Sequence, residues 1–220
     1  MSGYEWDFGK AFLHPGLWLQ ALIITLGYSS ATIFCGLVIG VIAGMLLLSR
    51  HWLVRLPVSG FVQLFRCTPL LIQIIWFYYA LPVALRITVP AWLAAGMGLT
   101  FYMAAFSAEI FRGGIMSIDK GQWQAAKAIG MLPWQVMRRV VLPQATRRMI
   151  PPFVNQSVLQ LKNTSLLSIV AVPDLTYMAQ VFVSETFRPL EIYTSLGVMY
   201  LCILYPLQKL AKRLERRDDV

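Results

Sequence analysis

The chain has 220 residues, 58% hydrophobic and 13% charged, with a mean hydropathy of +0.63. That apolar share exceeds the roughly 45–50% of a soluble domain and comes in long blocks, each enough to carry a helix across about 30 Å of hydrocarbon, so an ordinary soluble fold is excluded. The net charge of +9 is not interleaved with exposed aromatics along a polar segment, which argues against a nucleic-acid surface. Cys35, Cys67 and Cys202 lie in or beside apolar blocks without CxxC or CxxH spacing, so neither zinc nor a disulfide framework is indicated. The opening MSGYEWDFGK carries two acids and one lysine, and no cleavable signal peptide is expected from it.

The first apolar block runs from about Leu17 to Leu48, longer than one upright crossing needs, with Gly36, Gly40 and Gly44 four residues apart. Such a stripe suits close helix packing or local flexibility. The second spans about Pro57 to Leu85, where RCTPLLIQ brings together Arg66, Thr68, Pro69 and Gln73. Proline removes a backbone bond there, which fits a moving kink or a static bend. The third, Pro90 to Phe111, closes on FSAEIFR, with Glu109 and Arg112 three residues apart on one face; a salt bridge or a gate role would use that spacing.

Residues 112–148 form the one long polar loop. GQWQAAKAIG predicts a short helix over residues 121–129 stopped by Gly130, and Pro133 opens a second. Two uses fit this pair: an amphipathic element lying on lipid through Trp123 and Trp134, or a docking surface for a partner. A fourth block follows at about Met149 to Val172, a fifth at about Pro189 to Leu207, and a basic tail at 208–220. The expectation is an all-α integral membrane protein with five transmembrane helices.

Basic charge alternates between the segments that join the blocks. Residues 1–16 carry net −1, 49–66 net +3, the link after the second span only Arg86, 112–148 net +6, 173–191 net −2 and the tail net +2. By the positive-inside rule the N-terminus faces outside, and the long loop and C-terminus face the cytoplasm.

The fourth block, MIPPFVNQSVLQLKNTSLLSIVAV, carries the densest intramembrane polarity. Gln156, Gln160 and Asn163 stack on one helical face, with Asn155 and Lys162 seven apart on an adjacent one. A lipid-facing lysine at midspan costs several kcal/mol, so this polar surface should look inward. Lys162 can attract the carboxylate of a small solute in a water-accessible passage, or it can pair with an acid or a helix C-terminus; the amides can line that passage or bond neighbouring spans. So large a set of polar groups favours a cavity. No nucleophile, base and orienter set can be assembled, His14 and His51 fall on opposite sides, and no G-x-x-x-x-G-K-[ST] motif is present. An ion-driven transporter would carry a proton-bearing acid in a span, where only the edge residue Glu109 qualifies, and a non-transporting scaffold would need no polar midspan face.

From the first span onward nearly all of the chain carries one ordered pattern, through FRCTPLLIQIIWFYYALP, FSAEIFRGGIMSIDKGQWQAAKAIGMLPWQVMRRVVLPQA, PPFVNQSVLQLKNTSLLS and the fifth span. In these the chain resembles the membrane-spanning permease subunits of ATP-binding cassette importers for polar amino acids. The resemblance implies one permease domain over 1–220 in a bacterial plasma (inner) membrane, with coupling helices in loop 112–148 that seat in a cytoplasmic ATPase. It implies Trp123, Gln124, Ala125, Ala126 and Gly130 as the ATPase-coupling set, and it makes Gln73, Asn155, Gln156, Gln160, Lys162 and Asn163 candidates for the translocation pathway. Implied partners are a second permease, two ATPase subunits, an extracytoplasmic solute-binding protein, a polar amino acid and membrane lipid, with no nucleic acid. The chain itself needs no cofactor or metal; ATP and Mg would be used by the ATPase, and no catalysis belongs to this subunit. Gln124 stands where the family usually has Glu, Cys67 where a small residue is common, and Asn163 where Asp is frequent.

Overall fold

The computed structural model describes residues 5–12 and 14–215. Among these every regular element is helical. A 3₁₀ turn at Lys10–Phe12 precedes α1 (Pro15–Leu47), α2 (Trp52–Cys67), α3 (Leu70–Ile75), a π-helical turn at Trp76–Ala80 and α4 (Leu81–Leu85). Then come α5 (Ala91–Met116), α6 (Lys120–Ala128), α7 (Pro133–Val136), a second π turn at Met137–Val141, α8 (Leu142–Asn163), a 3₁₀ segment at Thr164–Val170, α9 (Leu175–Thr186) and α10 (Pro189–Glu215). Residues 216–220 of the basic tail expected at 208–220 lie outside the described residues.

Among the described residues, α1, α5 and α10 are long and apolar enough to cross a membrane singly, and two bent helix pairs bring the possible number of crossings to five. The chain is therefore a multi-span membrane helical bundle. The first bent pair, Trp52–Cys67 with Leu70–Leu85 at 108°, places a bend in the second block at Pro69, where the sequence predicts a kink or a static bend, and starts five residues before the expected Pro57. Its helix stops at Thr68, held extended at φ −102° and ψ 141°, because the ring of Pro69 excludes the helical conformation from the residue before it. The Thr68 hydroxyl donates to the Leu64 carbonyl at 2.7 Å and takes up part of the loosened backbone capacity. The fourth block likewise differs: α8 begins at Leu142, seven residues before the expected boundary, and gives way to 3₁₀ geometry after Asn163.

The chain forms two compact units, each assembled from separated segments. The first comprises Met1–Thr32, Leu70–Leu99 and Val158–Leu207. Its core gathers Trp18 and Ala21 from α1, Leu175, Ala179 and Phe182 from α9, and Ile192 and Leu196 from α10. Several polar groups inside it bond within the unit. The Thr25 hydroxyl accepts from the Leu175 amide at 3.1 Å, and the Asp174 carboxylate caps α9 by accepting from the Tyr177 amide at 2.9 Å. Glu191, fully buried, accepts from the Asp7 amide at 3.2 Å and from Arg188 at 3.1 Å, while Arg188 also donates to the Glu5 carbonyl at 2.7 Å. The segment before α1 is thereby strapped to the start of α10.

The second unit comprises Ile33–Pro69, Thr100–Ser157 and Gln208–Val220. Here the glycine stripe of α1 meets α5: a β-carbon at Gly40 would stand 2.7 Å from the Ala104 carbonyl and against Ser107. The stripe therefore serves close packing, in which backbone approaches backbone. Beside it Ala43, Leu47, Val62 and Ala108 are buried together, with Phe61 and Phe65 of α2 flanking Phe101 at 5.8 and 5.3 Å between ring centroids. A further core joins Phe111, Ile115 and Ile118 to Ala126, Val136, Val141 and Met149.

Candidate coupling surface and translocation face

The loop pair is built by local signals. The Asp119 side chain accepts from the Gly121 amide at the start of α6, which satisfies one of the orphan donors of a helix N-terminus. At the other end Gly130 takes φ +79°, its amide donates to Lys127 at 2.9 Å, and the Met131 amide reaches back to Ala126 at 3.2 Å. That closure needs a left-handed residue, which glycine supplies without a β-carbon clash. The Leu132 amide donates to the Gln135 side chain at 2.9 Å, and Pro133 opens α7 where its missing donor costs nothing.

The pair is anchored on one side only. Ala126 and Val136 are buried at 4% and 1% exposure, and Trp123 packs part-buried on the same core. Gln124, Ala125 and Gly130 remain exposed. Of the five residues expected to couple, three thus present outward and two fasten the pair to its unit.

The polar residues of α8 divide as well. Gln160 is fully buried, and its amide nitrogen donates to the Thr32 hydroxyl at 3.2 Å and the Leu99 carbonyl at 2.8 Å, tying α8 to α1 and α5 within the first unit. Gln156 is 6% exposed, and its side-chain nitrogen meets no hydrogen-bond partner among the described residues. Gln73 is buried in α3. Asn155 and Lys162 are exposed, and Asn163 is half-buried. Lys162 forms no ion pair among the described residues.

An ionic cluster in the second unit was only half visible in the sequence. Arg112 grips both oxygens of Glu109, at 3.2 and 2.8 Å, as the three-residue spacing implies. Arg66 approaches the same carboxylate at 3.6 Å and lies 5.5 Å from the Phe106 ring centroid, a cation–π distance. Nothing local marks a partner 43 positions away; only the rarity of an arginine beside an apolar run hints that it needs one.

The long apolar helices α1, α5 and α10 and the two bent helix pairs define a class, the multi-pass helical membrane proteins. The comparisons give the family. Residues 36–218 match the family described as binding-protein-dependent transport system inner membrane component, and the chain belongs to it. It is a non-catalytic permease subunit of an ATP-driven importer, in which hydrolysis resides in a separate subunit, and it is an inner-membrane protein. Among curated relatives, the glutamine transport system permease protein GlnP of Escherichia coli (strain K12) is 36% identical over 217 residues, covering 98% of this chain and 99% of that one. The octopine transport system permease protein OccM of Rhizobium meliloti is 36% identical over 192 residues, covering 83% and 78%. Among solved structures, an amino acid ABC transporter crystallised with histidines superposes with a TM-score of 0.92 at 29% identity, covering 97% of this chain and all of that one. The MetNI methionine transporter in an inward-facing form, at 23% identity and a TM-score of 0.74, shares the fold.

Proposed function

We propose that this chain pairs with a second permease, identical or homologous, around a central pathway that carries a polar amino acid into the cytoplasm. Solute arrives from an extracytoplasmic binding protein, and two ATPase subunits drive the cycle with ATP and Mg. The chain crosses the membrane five times, with the N-terminus outside and loop 112–148 and tail 208–220 in the cytoplasm. A single permease domain over residues 1–220 is the corresponding organisation. The similarity to the glutamine permease favours a solute with an uncharged polar side chain.

The carrying observation is the α6–α7 pair, with α6 capped at both ends and α7 running on without a break toward α8, fastened to its unit through Ala126 and Val136 while Gln124 and Ala125 stay exposed. A knob so held can seat in a groove of a partner and transmit its movement as a rigid lever. Lys162, Asn155 and Asn163 supply the solute-facing groups of the pathway, and Gln73, Gln156 and Gln160 form its buried backing. The ammonium receives a carboxylate and the amides give and take hydrogen bonds around it.

The test is ATPase activity of the reconstituted complex with and without loaded binding protein, alongside co-purification of the ATPase. Ala125→Trp and Gly130→Asp are expected to leave the subunit inserted while hydrolysis loses its response to loaded binding protein. Gln124→Glu is expected to be tolerated. Full response in both disruptive variants would return the knob to the lipid surface.

A further inference from the structure

The segment strapped to the start of α10 borders a groove of about 680 Å³ that runs between α1 and α10 within the first unit. Phe8, Phe12, Trp18, Leu22, Val198 and Cys202 line it. Trp18 spends its indole N–H on the Ala11 carbonyl at 2.8 Å, so it offers the groove only apolar surface. The volume falls within the roughly 300–1,000 Å³ of small-molecule sites. Both walls are helices long and apolar enough to cross a membrane, so the groove opens to lipid.

Its length selects among occupants. The lining of α10 extends from Thr194 to Ile203, about 14 Å at a rise of 1.5 Å per residue, which is half of the roughly 30 Å of hydrocarbon that a span crosses. The groove is one leaflet deep. A span of a second permease, about 10–12 Å wide and crossing the whole layer, would need a longer seat, whereas a single acyl chain needs no more than this.

The charges beside it select the headgroup. Asp7 and Lys10 lie on the same short segment as Phe8 and Phe12, 4.0 Å apart, with both side chains about half exposed. An ion pair that open contributes little stability, and neither group has another charged partner among the described residues. One anion and one cation are therefore available side by side. Trp6, exposed and stacked on Phe8 at 5.5 Å between ring centroids, suits interfacial depth, where such aromatic side chains collect.

We propose that this groove holds an acyl chain of a phosphatidylethanolamine, whose phosphate meets Lys10 and whose ammonium meets Asp7. Phosphatidylglycerol offers the phosphate without the ammonium and leaves Asp7 beside a like charge. In the proposed topology the lipid belongs to the outer leaflet; that assignment rests on the topology, and the contacts do not.

The test is native mass spectrometry of the purified permease–ATPase complex in detergent, titrated with dioleoyl phosphatidylethanolamine or dioleoyl phosphatidylglycerol, which share their acyl chains. The ethanolamine lipid is expected to be retained in preference to the glycerol lipid. Val198→Trp fills the groove from an exposed position and is expected to abolish that retention. Leu201→Trp, exposed on the same helix and outside the lining, is expected to keep it. Asp7→Asn is expected to bring the two lipids to equal retention, and Lys10→Gln to weaken both about tenfold, the loss of a charge-assisted bond. Asp7 binds Glu191 through its backbone amide, so the side-chain change leaves that strap bond in place. Equal retention by Val198→Trp and the wild type, phosphatidylglycerol held as tightly as phosphatidylethanolamine, or no retained lipid would overturn the proposal. So would separation of two permeases by Val198→Trp, which would mark the groove as an interface between copies. A reporter fusion at residue 88 that reads cytoplasmic would move the lipid to the other leaflet and leave the binding result standing, so topology and site fail separately.

Discussion

Lys162 and Gln160 lie two positions apart on α8 and meet opposite surroundings. Gln160 is enclosed and bonded to two other helices, whereas Lys162 is exposed and without an acid among the described residues. Their substitutions should therefore separate. Gln160→Leu removes two interhelical bonds, each worth about 0.6 to 1.7 kcal/mol in a membrane, and is expected to lower the thermal transition of the detergent-solubilised protein while uptake per folded molecule persists. Lys162→Met removes a charge that a solute carboxylate would meet, and uptake is expected to fall about tenfold with unchanged insertion and ATPase binding. Normal uptake by Lys162→Met would take the lysine off the pathway. The alternation of amides and lysine was legible as a polar surface from spacing alone. Its division into a bonded half and an open half was not, because Thr32 and Leu99, the partners of Gln160, lie 128 and 61 residues away.

At the scale of elements, local chemistry wrote most of what could be read. Gly130 and Pro133 each act within a few residues, and the helix boundaries they mark stand within one residue of where those signals put them; the Asp119 cap, equally local, went unread. The bend at Thr68–Pro69 was equally local. The early start of α8 was not, since Pro151 and Pro152 sit inside the helix and argue against one there; propensity yields where a surrounding bundle re-satisfies the freed carbonyls. Contact between α1 and α5 depends on glycine more sharply than any cap. Gly40→Val would drive a side chain into the Ala104 carbonyl and Ser107, and overpacking of this kind costs about 1 to 3 kcal/mol or more. The expected outcome is a sharp loss of folded protein by fluorescence-detected size exclusion. The same change at Gly60, where a β-carbon would meet nothing within 4 Å, should be tolerated.

For the whole molecule, charge bias makes a claim that helix geometry alone does not address. Reporter fusions at residues 88 and 180 are expected to read outside, and those at residues 125 and 215 cytoplasmic, because basic residues concentrate in alternate segments. A fusion at residue 125 that reads outside would overturn topology and ATPase docking together. The dispersed make-up of the first unit has a further consequence, for synthesis. Thr25 waits for Leu175, Thr32 for Gln160 and Asp7 for Glu191, separations of 150, 128 and 184 residues. At a translation rate of roughly 5–20 residues per second, the first helix waits about 6 to 30 seconds before the partners of its buried hydroxyls are synthesised. During that interval Thr25 and Thr32 must be satisfied by their own helix, and each hydroxyl donates to a carbonyl four residues earlier, Ala21 at 2.9 Å and Tyr28 at 2.7 Å. Those short-range bonds let a nascent span rest in lipid without exposing a donor, while leaving each oxygen an acceptor lone pair for the helices still to come.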